Sequence, residues 1–246
     1  MAHGICNQEF MAGSGIVSAA INGDDAEVIA GVTGRRARLV VLISGGGTTL
    51  LNFLDQMRSG QLPVEIPLVI SSQRDCRGVE RAAAAGLAVE VLRPRDFPGS
   101  AEFSAAVFAA VRQVQADFVV LAGFLSLLQI PDDFHLRVLN IHPSLIPAFC
   151  GHGQYGHHVH EAAIARGVRI SGCTVHFADN QYDHGPIILQ RSVDVPDHCT
   201  PDQLAGLVFE QEKLAYPEAI RCVISGRLRV RHGRTFLLPS ESAACQ

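Results

Sequence analysis

The residues best suited to chemistry lie in segment 139–147, where Asn140 and His142 alternate with apolar residues at the predicted carboxyl end of a strand. Side chains two positions apart in a strand point to the same face, so the amide and the imidazole lie side by side. Two such donors can stabilise a carbonyl oxygen that gains negative charge. The pattern predicts an oxyanion site, and the alternative is a histidine that only caps a strand end.

A third polar residue, Asp183, lies in the tight loop 182–186 between two predicted strands. A carboxylate near an imidazole favours the protonated form of the ring and orients it. Aspartate is also common in turns for purely local reasons. Asp183 is therefore either a partner of His142 or a turn residue.

A glycine loop, 44–49 (SGGGTT), separates a predicted buried strand from a predicted helix. Glycines allow the backbone to approach an anion, and the helix N-terminus supplies unpaired N–H groups. The loop lacks the Gly-Lys-Ser/Thr of a P-loop, and Leu50 replaces the third glycine of a dinucleotide fingerprint. We therefore expect it to bind a single phosphate, and the alternative is a plain strand-to-helix turn.

The elements that position these residues follow from the hydrophobic pattern. Continuous apolar runs of strand length alternate with segments of helical period, which is typical of a doubly wound α/β fold with a mainly parallel sheet. The predicted strands are 39–43, 66–71, 88–92, 118–122, 138–141, 174–178 and 187–195, and the predicted helices are 48–58, 78–85, 101–115, 159–166 and 204–224. Ligands of such sheets bind beyond the carboxyl ends of the strands. That rule selects the glycine loop, the loop at Gly123 and the segment after Leu139.

Residues 1–36 show no sustained period, so we expect a poorly ordered N-terminal extension that does not join the core. Residues 37–228 are expected to form a single domain. Residues 229–246 are expected to form a tail that could contain a small hairpin around Gly233.

Composition excludes several classes of protein. The 246 residues carry a net charge of −4, which argues against a nucleic-acid partner, and no apolar run is long enough to span a membrane. Seven cysteines without a Cys-x-x-Cys pair argue against a disulfide framework, and no segment resembles a secretory signal. We expect a cytoplasmic protein.

Two other groups of residues suggest different chemistry. The histidines at 152, 157, 158 and 160 could bind a metal, but only Glu161 accompanies them, so we expect no metal. Cys150 could act as a nucleophile, but no oxyanion motif surrounds it, and a small buried cysteine is the favoured interpretation.

Taken together, these segments resemble the folate-dependent phosphoribosylglycinamide formyltransferases over about residues 38–228. Six segments carry the resemblance in the same order: VVLISGxG (40–47), VVLAGF (119–124), NIHPSL (140–145), GxTVHF (172–177), DxGPIILQ (183–190) and QE ahead of YP (211–217). The resemblance implies a Rossmann-like formyltransferase fold. It also implies transfer of the formyl group of 10-formyltetrahydrofolate, the cosubstrate, to the amine of 5'-phosphoribosylglycinamide in de novo purine biosynthesis.

The resemblance also implies roles for individual residues. His142 would be a general acid, Asn140 would stabilise the oxyanion, and Asp183 would hold a water and raise the pKa of His142, keeping that ring protonated near neutral pH. The remaining roles concern binding. Gly47, Thr48 and Thr49 would hold the phosphate, Glu212 the ribose, and Leu125, Ser126, Leu127, Leu128 and Asn140 the folate. The expected partners are these small molecules, and the expected oligomeric state is a monomer or a homodimer.

Some features depart from the family. Ser126 and Ser100 stand where many members have arginine, which weakens the expected grip on the glutamate end of the folate. The glycine loop usually reads GNGSN, but backbone donors survive that change. Segment 150–160 is longer than in many members.

Three rival functions remain. A formyltetrahydrofolate deformylase would share the Asn-x-His-Pro-Ser segment but carries an N-terminal regulatory domain, for which 1–36 is too short. A methionyl-tRNA formyltransferase would need a further basic C-terminal domain. A non-catalytic folate- or nucleotide-binding module would leave Asn140, His142 and Asp183 without a role.

Overall fold

The computed structural model describes residues 26–239, which form one mixed sheet with helices on both faces. Five helices follow in chain order: α1 Thr48–Arg58, α2 Arg77–Ala84, α3 Ser100–Gln113, α4 His157–Arg166 and α5 Pro201–Ile224. The ten strands are β1 Glu27–Val28, β2 Ala37–Ile43, β3 Val64–Ser71, β4 Val89–Val91, β5 Phe118–Leu121, β6 Val138–His142, β7 Ile170–Phe177, β8 Ile187–Asp194, β9 Leu228–Arg231 and β10 Arg234–Leu237.

The strand order is β1-β9-β10-β8-β7-β6-β5-β2-β3-β4. Strands β4, β3, β2, β5 and β6 run parallel, β7 pairs with β6 in antiparallel orientation, and β8 pairs with β7 in antiparallel orientation. The chain winds outward from β2 toward β4 and then returns to place β5 on the other side of β2. Between β2 and β5 the sheet therefore has its topological switch point, where a ligand crevice is expected. The prediction of an α/β fold with a mainly parallel sheet is confirmed.

Strand β2 shows why continuous apolar runs form the centre of the sheet. Leu39, Val41 and Ile43 pack in the hydrophobic cluster that includes α1 and α5, whereas Val40 and Leu42 pack in the cluster that includes α3. Successive side chains of a strand point to opposite faces, so a strand covered by helices on both faces needs apolar residues at every position.

The expectation of an extension that does not join the core is wrong for its last part. Residues 1–25 lie outside the described residues, but β1 pairs with β9 in antiparallel orientation and Ile29 is 4% exposed within the core. Gly31 packs so closely on Gly226 that a Cβ atom at Gly31 would lie 2.4 Å from the Gly226 nitrogen. A stretch this short shows no period in the sequence, yet backbone pairing with a distant strand fixes it.

The sheet also continues past residue 228. Strands β9 and β10 form an antiparallel hairpin whose turn contains Gly233, and β10 lies beside β8. Within residues 26–239, no helix combines the length and apolar character that crossing a membrane requires.

Candidate active site

A cleft of about 670 Å³ lies at the carboxyl ends of β2, β5 and β6. Every residue predicted to bind or react lines it, although those residues come from five separate segments of the chain. The lining includes Gly47, Thr48, Thr49, Leu125, Ser126, Leu127, Leu128, Asn140, His142, Asp183 and Glu212. The carboxyl-end rule for open α/β sheets therefore located the cleft correctly.

The glycine loop forms one end of the cleft. Gly47 is the N-cap of α1 and has φ 70°, and a Cβ atom there would lie 2.7 Å from the Gly78 Cα. Both the left-handed conformation and the close approach of α2 require glycine. No side chain caps α1, and its first turn contains no acidic residue. The first N–H groups of α1 therefore face the cleft with the positive end of the helix dipole behind them, which suits an anion.

Ser44 connects the glycine loop to the loop that follows β5. Its hydroxyl accepts a hydrogen bond from the Leu125 N–H at 3.1 Å and lies 2.6 Å from the Ser72 hydroxyl, and its N–H donates to the Gly123 carbonyl at 3.2 Å. These contacts fix the apolar wall formed by 125–128 against the glycine-loop end of the cleft.

That wall presents leucine side chains to the open cleft. Leu125 is 57% exposed and Leu127 is 38% exposed, whereas Leu128 is buried. Exposed leucines on a concave surface gain free energy when an apolar or aromatic ligand covers them. The wall therefore suits a flat, largely apolar ring system.

A polar cluster formed by Asn140, His142, His176 and Asp183 also lines the cleft. Asn140 and His142 are in β6, and the antiparallel register places His176 of β7 directly opposite Asn140. His176 Nδ1 donates to the Phe177 carbonyl at 2.8 Å, so His176 Nε2 is an acceptor, and Asn140 Nδ2 donates to it at 3.1 Å. His176 therefore orients the Asn140 amide with its N–H2 group toward Asp183.

Asp183 lies between the two histidines. Its side chain is 10% exposed, and it adopts a left-handed backbone conformation with φ 52°. Its carboxylate accepts from the Gly151 N–H at 3.0 Å, while Asn140 Nδ2 and His142 Nδ1 each lie 3.4 Å away. Burial raises the pKa of Asp183, but the neighbouring histidines and the Gly151 N–H lower it, and the net shift is downward. Asp183 is therefore ionised at neutral pH.

His142 is almost fully buried, and both of its ring nitrogens face acceptors. Nε2 donates to the Phe149 carbonyl at 2.8 Å, and Nδ1 faces Asp183. Burial lowers the pKa of His142, and this effect exceeds the opposite effects of Asp183 and the Phe149 carbonyl. Asp183 thus acts in the direction that the sequence implied, but the expectation that His142 is protonated near neutral pH is wrong for this structure.

The segment after His142 is held by β7 and β8. The Thr174 hydroxyl donates to the Ser144 carbonyl at 2.7 Å and accepts from the Ile146 N–H at 3.0 Å, and Gln190 donates to the Ile146 carbonyl at 3.0 Å. Through these contacts the Phe149 carbonyl stays within reach of His142.

Helix α5 contributes the remaining wall. Ala205, Phe209 and Glu212 face the cleft from one side of the helix, and partial burial raises the pKa of Glu212 to about 7. One turn further on, the Tyr216 hydroxyl reaches the carbonyl oxygens of Leu121 at 3.0 Å and Leu139 at 2.9 Å. Tyr216 thus connects α5 to the ends of β5 and β6, where the reactive residues begin.

Sequence reasoning missed several members of this site. His176 had a detectable signal, because a polar residue interrupts a buried apolar strand in the same way as Asn140 does. The Phe149 carbonyl and the Gly151 N–H had none, since peptide groups do not differ between residues. Among residues 26–239, no group of three or more His, Cys, Asp or Glu side chains has a metal-binding arrangement. Cys150 is half-buried, and its thiol donates to the Pro147 carbonyl.

The family follows from the match between the sequence and a family model. The model described as "Formyl transferase" matches residues 37–220, which is most of the chain and includes every residue of the cluster. The chain belongs to the formyl transferase family.

Individual members of the family agree with this assignment. A chloroplastic phosphoribosylglycinamide formyltransferase of Vigna unguiculata is 36% identical over 208 residues, which cover 83% of this chain and 66% of the plant protein. The chain thus spans slightly less than two thirds of that relative.

Two solved structures share the fold over most of the chain. Glycinamide ribonucleotide transformylase 1 from Symbiobacterium toebii matches with a TM-score of 0.79 and 39% identity, covering 84% of this chain and 96% of that one. A formyltetrahydrofolate deformylase from Pseudomonas syringae matches with a TM-score of 0.75 and 26% identity, covering 84% of this chain and 67% of that one.

Proposed function

We propose that this protein transfers the formyl group of 10-formyltetrahydrofolate to the amine of glycinamide ribonucleotide, a step of de novo purine biosynthesis. The observation that carries the proposal is one cleft that combines an anion-binding helix N-terminus, an Asn-His-Asp cluster and an apolar wall. The activities for which the plant relative and the Symbiobacterium protein are named support it.

The ribonucleotide occupies the end of the cleft formed by the glycine loop and α5. Its phosphate binds the N–H groups of Gly47, Thr48 and Thr49, because these donors have no side-chain cap. Its ribose hydroxyls bind Glu212, which faces the same cleft.

The folate occupies the other end. Its ring system covers Leu125, Leu127 and the neighbouring residues Ser126 and Leu128, and Asn140 lies where the formyl group arrives. Since Ser126 and Ser100 bring no positive charge, we expect this wall to contribute more to folate affinity than recognition of the glutamate end does.

The reaction is a direct attack by the substrate amine. The amine nitrogen bonds to the formyl carbon, the carbonyl oxygen becomes an oxyanion, and the bond from that carbon to the folate nitrogen then breaks. Asn140 N–H and His142 Nε2–H stabilise the oxyanion, and preorganised donors of this kind act most strongly where charge develops.

One proton must move from the attacking amine to the departing folate nitrogen. The weak 3.4 Å contacts of Asp183 with Asn140 and His142 leave the carboxylate able to hold a water that relays this proton. His142, neutral before reaction, gains positive charge as Nδ1 shares the relayed proton beside Asp183. The substrate amine is the nucleophile, so we expect metal chelators to leave the rate unchanged.

For His142 to bind the oxyanion, the formyl oxygen must replace the Phe149 carbonyl at Nε2. The exchange is balanced, since one acceptor replaces another at the same N–H. We therefore expect the peptide at 149–150 to move when the folate binds.

One coupled assay tests the proposal. Purified protein is incubated with 10-formyltetrahydrofolate, with and without glycinamide ribonucleotide, and both deformylated folate and formylated ribonucleotide are measured. The proposal expects turnover only when the ribonucleotide is present. Folate hydrolysis without ribonucleotide would instead identify a deformylase, the activity named for the Pseudomonas structure, and binding without turnover would identify a non-catalytic module.

A further inference from the structure

The glycine loop is held from behind by helix α2, which contributes no residue to the lining of the cleft. The Gly78 N–H of α2 donates to the Gly45 carbonyl at 3.0 Å. One turn further on, Arg81 Nη1 donates to the Gly46 carbonyl at 2.6 Å. Gly78 packs so closely on the loop that a Cβ atom there would lie 2.7 Å from the Gly45 oxygen. Two successive carbonyl groups of the loop are therefore turned toward α2.

The direction of these carbonyl groups determines where the loop presents its donors. In a planar trans peptide the carbonyl and the N–H point in opposite directions. Since the Gly46 carbonyl points to Arg81, the Gly47 N–H points away from α2, to the side on which both glycines line the cleft. Within residues 26–239, no backbone carbonyl accepts from the N–H groups of 46–49, and no side chain caps α1. These N–H groups are thus available to an anion.

The glycines that permit this arrangement also make it easy to lose. Gly47 needs its left-handed conformation and its contact with Gly78, but glycine on both sides of one peptide leaves that peptide free to rotate. Such a rotation would turn the Gly46 carbonyl oxygen, with its partial negative charge, toward a bound phosphate. The bond from Arg81 opposes the rotation, because a hydrogen bond with a charged donor is about twice as strong as a neutral one. It also polarises the peptide and makes the Gly47 N–H a stronger donor.

We propose that Arg81 is a positioning residue, which holds the Gly46–Gly47 peptide with its N–H toward the cleft and thereby strengthens the binding of a phosphate monoester. This inference rests on the function proposed above, in which the loop binds the phosphate of the ribonucleotide. Arg81 lies outside the cleft lining and acts through the peptide. Its effect is therefore confined to the phosphate, and the other parts of the substrates bind as before.

The test compares two ligands that differ only in the phosphate, glycinamide ribonucleotide and glycinamide riboside, and measures each Kd by calorimetry. Methionine at position 81 keeps an unbranched apolar side chain and removes both the donor and the charge. We expect Arg81→Met to raise the Kd of the ribonucleotide about 10-fold, in the range of one hydrogen bond to a charged group, and to change the Kd of the riboside by less than about twofold. Arg81→Lys keeps a charged donor and is expected to raise the ribonucleotide Kd by about threefold or less.

Arg77→Met is the matched control, because it removes the same charge from the same helix. Arg77 is exposed, lies one turn before Arg81, and forms no hydrogen bond with the loop in the described part of the chain. Both Kd values are expected to stay at the wild-type level. If Arg81→Met does not fold, Arg81→Gln takes its place, since the glutamine nitrogen ends two atoms short of Nη1 and does not reach the Gly46 carbonyl.

Three results would overturn the inference alone. They are an unchanged ribonucleotide Kd in Arg81→Met, equal changes in Kd for both ligands, and an equal effect of Arg77→Met. An Arg81→Lys variant as weak as Arg81→Met would also contradict it. A wild-type protein that does not bind the ribonucleotide would instead overturn the proposed function, and one that binds both ligands equally would overturn phosphate binding at this loop.

Discussion

Replacing Asp183 with asparagine keeps the shape of the side chain and removes its charge. In the wild-type protein His142 Nδ1 lies 3.4 Å from the carboxylate, and both side chains are at least nine-tenths buried. Two unit charges at 3.4 Å attract by about 5 kcal/mol at an effective dielectric constant of about 20. If His142 carries about half a unit of positive charge in the transition state, the variant loses about 2 to 3 kcal/mol of stabilisation. That loss corresponds to a fall in kcat of roughly 30- to 150-fold.

The same substitution changes the pH dependence. Asp183 opposes the effect of burial on His142, so removing the carboxylate lowers the pKa of His142 further. The mechanism needs neutral His142 at the start, and the rate therefore rises with pH through this pKa. In Asp183→Asn the rising limb of the kcat/KM profile moves to lower pH.

The assay is steady-state kinetics of folate turnover with both substrates across a pH series. Glu161→Gln is the matched control, since Glu161 also contacts a histidine, His158, at 3.1 Å, but on the surface and outside the cleft. The control is expected to keep both rate and profile. An Asp183→Asn enzyme with wild-type kcat and an unmoved profile would refute the proton relay and the role of the carboxylate beside His142.

Three further predictions test the binding sites and the fold. Thr48→Pro removes one N–H donor at the start of α1, a position where proline is otherwise tolerated. It should raise KM for the ribonucleotide about 10- to 100-fold and change KM for the folate little. Equal changes in both KM values would refute the assignment of the phosphate to this loop. Glu212→Gln should weaken ribonucleotide binding, but it should raise the Tm of the free protein relative to wild type more at pH 8 than at pH 5. The folded pKa of about 7 lies above the ordinary 4.5, so the stability of the wild type falls as pH rises between those values, whereas uncharged glutamine does not lose this stability. An equal difference in Tm between variant and wild type at both pH values would contradict this sign. Ile29→Ala should lower the free energy of unfolding by about 2 to 4 kcal/mol in urea titrations, because this side chain is only 4% exposed in the core. A loss under about 0.5 kcal/mol would show that the segment containing β1 and Ile29 does not contribute to stability.

The sequence by itself determined the architecture and the location of the cleft. Strand β2 had to be central because consecutive residues such as Val40 and Val41 are both apolar, and only a strand covered on both faces buries both. The glycine loop followed by helical periodicity had to be a strand-to-helix connection. These inferences depend on the side-chain periods of strands (two residues) and helices (3.6 residues), which can be detected from residues close together in the sequence.

Only the tertiary structure decided the partners of the reactive side chains. The antiparallel pairing of β7 with β6 placed His176 opposite Asn140, and the chain path after β6 chose the Phe149 carbonyl for His142. The position of Ile29 also depends on the distant strand β9, because the Ile29 N–H donates to the Leu228 carbonyl at 3.1 Å. Even the direction of the His142 pKa shift could not be read from the presence of Asp183, because it is the difference between the cost of burial and the attraction of the carboxylate. The cost of burial and the attraction of the carboxylate both depend on how segments far apart in the chain exclude water from the His142 ring, and a local sequence pattern does not contain that information.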